Sequence, residues 1–218
     1  MPASEVELTQ LAIAVLADQH NPTILNPDFL KRNGIVDEAW ELAEPPLCAF
    51  PVARVKFANS VSLTADPERV IVRQDVVGDP QNVVAPDIAV AYVRTLPHVA
   101  YEGVCINPSG CARQIPNGDI AGFVARDLLR DVTALAVDGI EPTAALRLDY
   151  QMGEYEVYLA VESERDPVSA EPVLVLDAHF HYDMTGGGDL VDRLCERIGR
   201  WHDNVRAYRD MAQRLLGQ

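Results

Sequence analysis

An α+β fold with a mostly antiparallel sheet, one or two short helices and a long C-terminal amphipathic helix is the class this sequence predicts. Three observations carry it. Residues 51–76 and 143–183 alternate apolar and polar side chains with a period of two, broken by turn residues. An apolar stripe at helical spacing lies between those two blocks, around residues 120–132. The last thirty or so residues repeat apolar positions at intervals of three and four. Strands gathered in two blocks, rather than alternating one by one with helices, argue for an antiparallel sheet.

The elements follow in order. "VELTQLAIAVLA" carries enough β-branched and aliphatic residues for a strand, with a helix as the alternative because of its alanines. The stretch from Asp18 to Leu47 holds two Asn-Pro pairs, an Asn-Gly and a Pro-Pro, so it reads as an irregular arm with one helical turn at Glu38–Leu42. Ile24, Leu25, Phe29, Leu30, Ile35 and Trp40 are its expected anchors. "VARVKFAN" and "VSLTADPERVIVRQDV" are strands turning at Ala65–Glu68. "APDIAVAYVRTLP" is a short helix closed by Pro97, and "VAYEGVCINPSG" a strand that should end at Asn107-Pro108. Asn117 or Asp119 caps a helix with the stripe Ile120, Phe123, Val124, Leu128 and Val132. A hairpin turning at Gln151–Glu154 and a further turn at Asp166–Glu171 lead into "VLVLDAHFHYD".

After "TGGG", Asp189 is placed to cap the final helix, with Asp192 favouring its positive end. Val191, Ile198, Val205 and Ala212 alternate with Leu194, Trp201, Tyr208 and Leu215 in a heptad seam. Such a helix of about 29 residues would be about 43 Å long, more than a strand of six to eight residues can cover. The seam is therefore a candidate interface as well as a candidate core face. The chain divides into a strand and arm (residues 1–50), an antiparallel core (51–184) and the final helix (185–218), all within one domain.

Thirty-three acidic and eighteen basic residues give a net charge of −15, which argues against a binder of nucleic-acid backbone. Residues 183–218 hold six acids and six arginines, so the excess lies in residues 1–182. An acidic body of this kind keeps a protein soluble, and it is also the make-up of an inhibitor or nucleic-acid mimic that captures a basic partner. No apolar run approaches membrane-spanning length, and no basic segment followed by an apolar core opens the chain. Cys48, Cys105, Cys111 and Cys195 lack a framework spacing, so free thiols in a reducing cytoplasm are expected.

Asp177, His179, His181 and Asp183 sit at every second position of "DAHFHYD" and would share one face of a strand. Imidazole and carboxylate suit zinc or another divalent ion, whereas a half-exposed strand also shows polar residues at this period. The His-x-His-x-Asp spacing matches metallo-β-lactamase-like hydrolases, but Met184 stands where that family has a further histidine. "TGGGD" lacks the lysine of a phosphate loop, and its flanking Asp183 and Asp189 would repel phosphate. Cys105 as a nucleophile would need a base, and His98 is the nearest histidine in sequence, without a supporting signature. Ser-His-Asp chemistry has no nucleophile elbow to start from. No catalytic set is assigned.

"EPPLCAFPVARVKF", "YEGVCINPSG", "LDAHFHYD" and "RIGRWHDNVRAYRDM" occur in that order. In this the chain resembles a sporadically distributed family of uncharacterised bacterial proteins with a Pro-Pro opening, a Tyr…Gly…Asn strand, a Leu-Asp strand and a final helix bearing a Trp-His pair. Tyr101, Gly103 or Val104, Asn107, Leu176, Asp177, Trp201 and His202 occupy those places, and the arm preceding residue 45 departs from the pattern. The resemblance implies a bacterial accessory protein, tied to mobile elements or defence, and no particular activity. The reading that follows is a non-enzymatic, cofactor-free cytoplasmic protein that binds a protein partner or a second copy through its helix seam or arm. The alternatives are a divalent-metal hydrolase and the acidic inhibitor.

Overall fold

A computed structural model describes residues 6–77, 82–115, 118–129, 137–138, 140, 142–166, 169–184 and 189–217. In chain order its strands are β1 (Glu7–Asp18), β2 (Leu47–Cys48), β3 (Ala53–Lys56), β4 (Val61–Asp66), β5 (Arg69–Asp75), β6 (Ala100–Ala112), β7 (Leu146–Gln151), β8 (Glu156–Arg165) and β9 (Pro172–Asp183). Its helices are α1 (Pro27–Arg32), α2 (Ala85–Thr95), α3 (Leu190–Gly199) and α4 (Trp201–Leu215). The nine strands form one antiparallel sheet in the order β2-β3-β4-β5-β1-β6-β9-β8-β7. The α+β class is as the sequence predicts.

The period-two pattern sorts the sheet into two faces. Leu11, Ile13 and Val15 of β1, Val104 and Ile106 of β6, Val157 and Leu159 of β8, and Leu174, Leu176 and Phe180 of β9 are buried in one continuous core. Helices α2, α3 and α4 close that core, contributing Ile88, Tyr92, Leu194, Ile198, Val205 and Tyr208. Polar groups are matched as they are buried. The Tyr208 hydroxyl donates to the Leu176 carbonyl (2.9 Å), and the Asn204 amide donates to the Tyr182 hydroxyl (2.6 Å). Residues of odd number in β9, and Cys105, Asn107 and Ser109 of β6, point to the other face, away from the helices.

Four local expectations are corrected. Residues 38–42 form no helical turn. Helix instead begins where each Asn-Pro pair stands: Asn21 caps a short 3₁₀ turn at Pro22–Ile24, and Asn26 caps α1 by accepting from the Phe29 amide (2.9 Å). An asparagine at the cap followed by proline in the first turn suits both ends of that junction. Strand β6 runs through Asn107-Pro108, keeping its register on β9 from Ile106↔Phe180 to Ser109↔Asp177. Phe123–Leu128 forms a π-helical turn, with Asp119 accepting from the Gly122 amide. The expected cap Asn117, the stripe residue Val132 and "TGGG" lie outside the described residues.

The fourth correction concerns the long helix. It is two helices, broken where Arg200 leaves helical geometry (φ −91°, ψ 16°) and its amide closes onto the carbonyls of Arg197 and Ile198. Asp189 caps α3 as expected, accepting from the amides of Val191 and Asp192. Both helices lie on the chain's own sheet. Leu194, Ile198, Tyr208 and Ala212 are wholly inaccessible, Trp201 and Val205 are buried, and Val191 and Leu215 are half-buried. The seam expected as an interface is therefore a core face: β1, β6 and β9 run for 12, 13 and 12 residues, longer than the strands expected, and give the helices a longer sheet to lie on. No helix among the described residues is long and apolar enough to cross a membrane.

Candidate metal centre

On the face turned from the helices, β6 and β9 run side by side with Cys105 opposite His181. Cross-strand neighbours on one face stand about 5 Å apart at Cβ, close enough for their side chains to meet. The Cys105 sulfur lies 3.2 Å from His181 Nδ1, and His181 Nε2 lies 3.0 Å from an Asp183 carboxylate oxygen. A carboxylate only accepts, so Nε2 carries the proton and the Nδ1 lone pair faces the sulfur. One strand position further along this face, His179 lies parallel to His181 (8° between rings). One donor atom each from Cys105, His179 and His181 falls within 4.8 Å of the others.

The cluster is set in place from the side. Tyr158 of β8 stacks on His179, with ring centroids 4.7 Å apart, and the Arg147 guanidinium of β7 lies 4.0 Å over the Tyr158 ring. This column crosses the sheet from its edge strand to Cys105 and limits the rotation of both imidazoles. Arg147 is itself held by Asp149, which accepts from its Nε (2.9 Å).

Electrostatics weigh against a free nucleophile. Burial pushes the Cys105 thiol up to about 12, with Asp183 adding to that shift and Arg69 opposing it. A thiol so disfavoured as a free anion is a poor nucleophile at neutral pH. Burial also lowers the pKa of His179, helped by the neighbouring His181 ring and the Arg147 charge, which favours the neutral imidazole that binds metal. With zinc–sulfur bonds of about 2.3 Å and zinc–nitrogen bonds of about 2.0 Å, a tetrahedral ion sets its ligands about 3.5 Å apart. The three donor atoms, within 4.8 Å of one another, are spread somewhat wider than that.

The four residues singled out from the strand pattern thus separate. His179 and His181 converge. Asp183 stands behind His181 as its hydrogen-bond partner rather than in the converging set. Asp177 lies further along β9, opposite Ser109 on one side and Ala160 on the other. Cys105 is the residue that sequence reasoning did not join to them. His98, its nearest histidine in the chain, is exposed in the turn before β6. The missing signal was the pairing of two strands about 75 residues apart, which no local spacing encodes.

No family model matches this chain, and no curated protein matches it. Among solved structures it is similar to the S. pombe Pct1 RNA triphosphatase in complex with the Spt5 CTD. That alignment covers 94% of this chain and 86% of the other at 10% identity, with a TM-score of 0.19, a level that carries no argument.

Proposed function

We propose that this chain is a metal-binding protein that holds one zinc-class divalent ion between β6 and β9. The Cys105 thiolate, His181 Nδ1 and a ring nitrogen of His179 are its ligands. The observation that carries this reading is the relay in which Cys105 sulfur faces His181 Nδ1 while Asp183 engages Nε2. A carboxylate behind a ligating histidine fixes its tautomer and raises its basicity. A divalent ion would also offset the cost of burying the thiolate, because its positive charge takes the place of the proton. The free state of all four cysteines suits the reducing cytoplasm expected for the chain.

Cobalt(II) titration of the metal-stripped protein tests it. One equivalent should bind with a thiolate-to-cobalt charge-transfer band, and zinc should displace it. Cys105→Ala and His181→Ala should abolish the band. Asp183→Asn should weaken binding by about 10- to 100-fold, and Asp177→Asn should leave it unchanged. A folded wild type that takes up no cobalt or zinc at micromolar concentration would overturn the assignment.

A second reading, binding of a protein partner or a second copy, is supported by a different surface from the helix seam. Leu47, Phe50 and Val52 are exposed together around the short edge strand β2, Phe50 by 72%. Native mass spectrometry of wild type and a Leu47→Ser/Phe50→Ser variant checks self-association: an assembly in the first that falls to monomer in the second supports it. A monomeric wild type rules out the second copy as the occupant of this edge.

A further inference from the structure

From the polar groups around the centre we infer that the ion keeps its fourth position open to water. The side-chain carbonyl of Asn107 accepts the hydrogen bond that this water donates. The inference rests on the metal-binding reading and deepens it, because it separates a reactive centre with an exchangeable ligand from a closed structural one.

Three observations converge. Among the described residues three ligands reach the centre, one short of a tetrahedron. All three lie on the face of the sheet away from the helices, with His179 and His181 only half-buried. The third is an unmet hydrogen bond. Asn107 Oδ1 is buried and has no donor among the described residues. Leaving such an acceptor unpaired costs about 1–3 kcal/mol, so a group of this kind calls for a partner.

Its position says which partner. Asn107 follows Cys105 by two residues and shares its face of β6. On β1 its neighbour is Ala12, whose methyl offers no donor. On the β9 side, the pairs Ile106↔Phe180 and Ser109↔Asp177 bracket it, which sets it opposite His179. The orphaned carbonyl is therefore flanked along its strand by one ligand and across the sheet by another. A water on the fourth coordination position supplies the missing donor.

The ligand class that follows is small and exchangeable: water or a compact anion such as azide. Azide accepts but cannot donate, so displacing the water leaves Asn107 Oδ1 unpaired again and weakens azide binding. The test is azide titration of the cobalt(II)-loaded protein, followed by the visible ligand-field bands. Wild type should show a saturable spectral shift. Asn107→Leu, which removes the acceptor at similar volume, should bind azide about three- to tenfold more tightly, the range of one net hydrogen bond. Asn107→Asp keeps an acceptor and adds a negative charge, and should bind azide more weakly than wild type. Cobalt uptake by each variant reports that the centre has formed.

A wild-type spectrum insensitive to azide would overturn the open position while leaving the metal site standing. Azide affinity unchanged or lowered in Asn107→Leu would overturn the role of Asn107. No cobalt uptake by wild type would remove the metal site and this inference together.

Discussion

At the residue scale, His20 shows how burial turns a titratable group into a pH-dependent one. Its Nε2 meets the Tyr92 hydroxyl at 2.6 Å, while Nδ1 is buried without a partner among the described residues. Burial lowers its pKa below the ordinary 6.5, only partly offset by Asp66. The unfolded chain takes up a proton near pH 6.5, whereas the folded protein resists doing so. The stability that neutral His20 contributes is thus complete above pH 6.5 and is lost as pH falls through the lowered folded value. Urea unfolding of wild type and His20→Gln between pH 7.5 and 5 should show wild type losing stability faster on acidification. Parallel profiles would sink this account. Asn26 makes a simpler case: Asn26→Ala removes the cap of α1 and should cost about 1 kcal/mol in the same assay.

At the element scale, β6 and α4 are matched by a missing side chain. A Cβ at Gly110 would collide with the Glu7 carbonyl oxygen and stand 2.6 Å from the Tyr208 hydroxyl. The first contact is backbone and cannot step aside, and the second belongs to the buried tyrosine that reaches the Leu176 carbonyl. Gly110→Ala should therefore destabilise the fold by about 1–3 kcal/mol, measured as a lowered denaturation midpoint. Tyr208→Phe removes the hydroxyl and should cost about 1 kcal/mol. In the double variant the two losses should not fully add, because one of the two clash partners is gone. Full additivity would show that the Glu7 backbone alone sets the constraint. α2 is held differently: the Gln74 side-chain oxygen on β5 accepts from the Val84 and Ala85 amides, so a strand caps a helix that brings no capping side chain of its own.

At the scale of the whole molecule, one core draws on the arm, the sheet and the last helices. Leu25, Leu30 and Ile35 of the arm, the sheet's inner face, and Ile198 and Tyr208 of the last helices belong to the same buried cluster. Phe29 meets Tyr92 and Trp40 meets Phe57 edge-on, so the arm is packed down on α2 and β3's neighbouring turn. Ile198→Asp should accordingly lower the melting temperature steeply and change far-ultraviolet circular dichroism, since it buries an unpaired charge. A variant that stayed folded and changed only its assembly mass would argue for the seam as an interface after all.

Much of this was legible in local pattern. Alternation specified strands β3 to β5 and β7 to β9, with their turns, because the two sides of a strand meet different solvents and the period of two records that difference. Capping chemistry marked the start of α3 at Asp189, since its oxygen satisfies the adjacent amides wherever the helix packs. The break at Arg200 was not legible, because the heptad pattern of Ile198 and Trp201 runs on across it. Nor was the passage of β6 through Pro108, which strand pairing on both sides overrides. The candidate centre shows the same limit. Sequence put His179 and His181 on one face, but only the antiparallel register of β6 against β9 brought Cys105 and Asn107 to them. Which strand lies beside which is decided by burying the whole sheet at once, a global free energy that no short stretch contains.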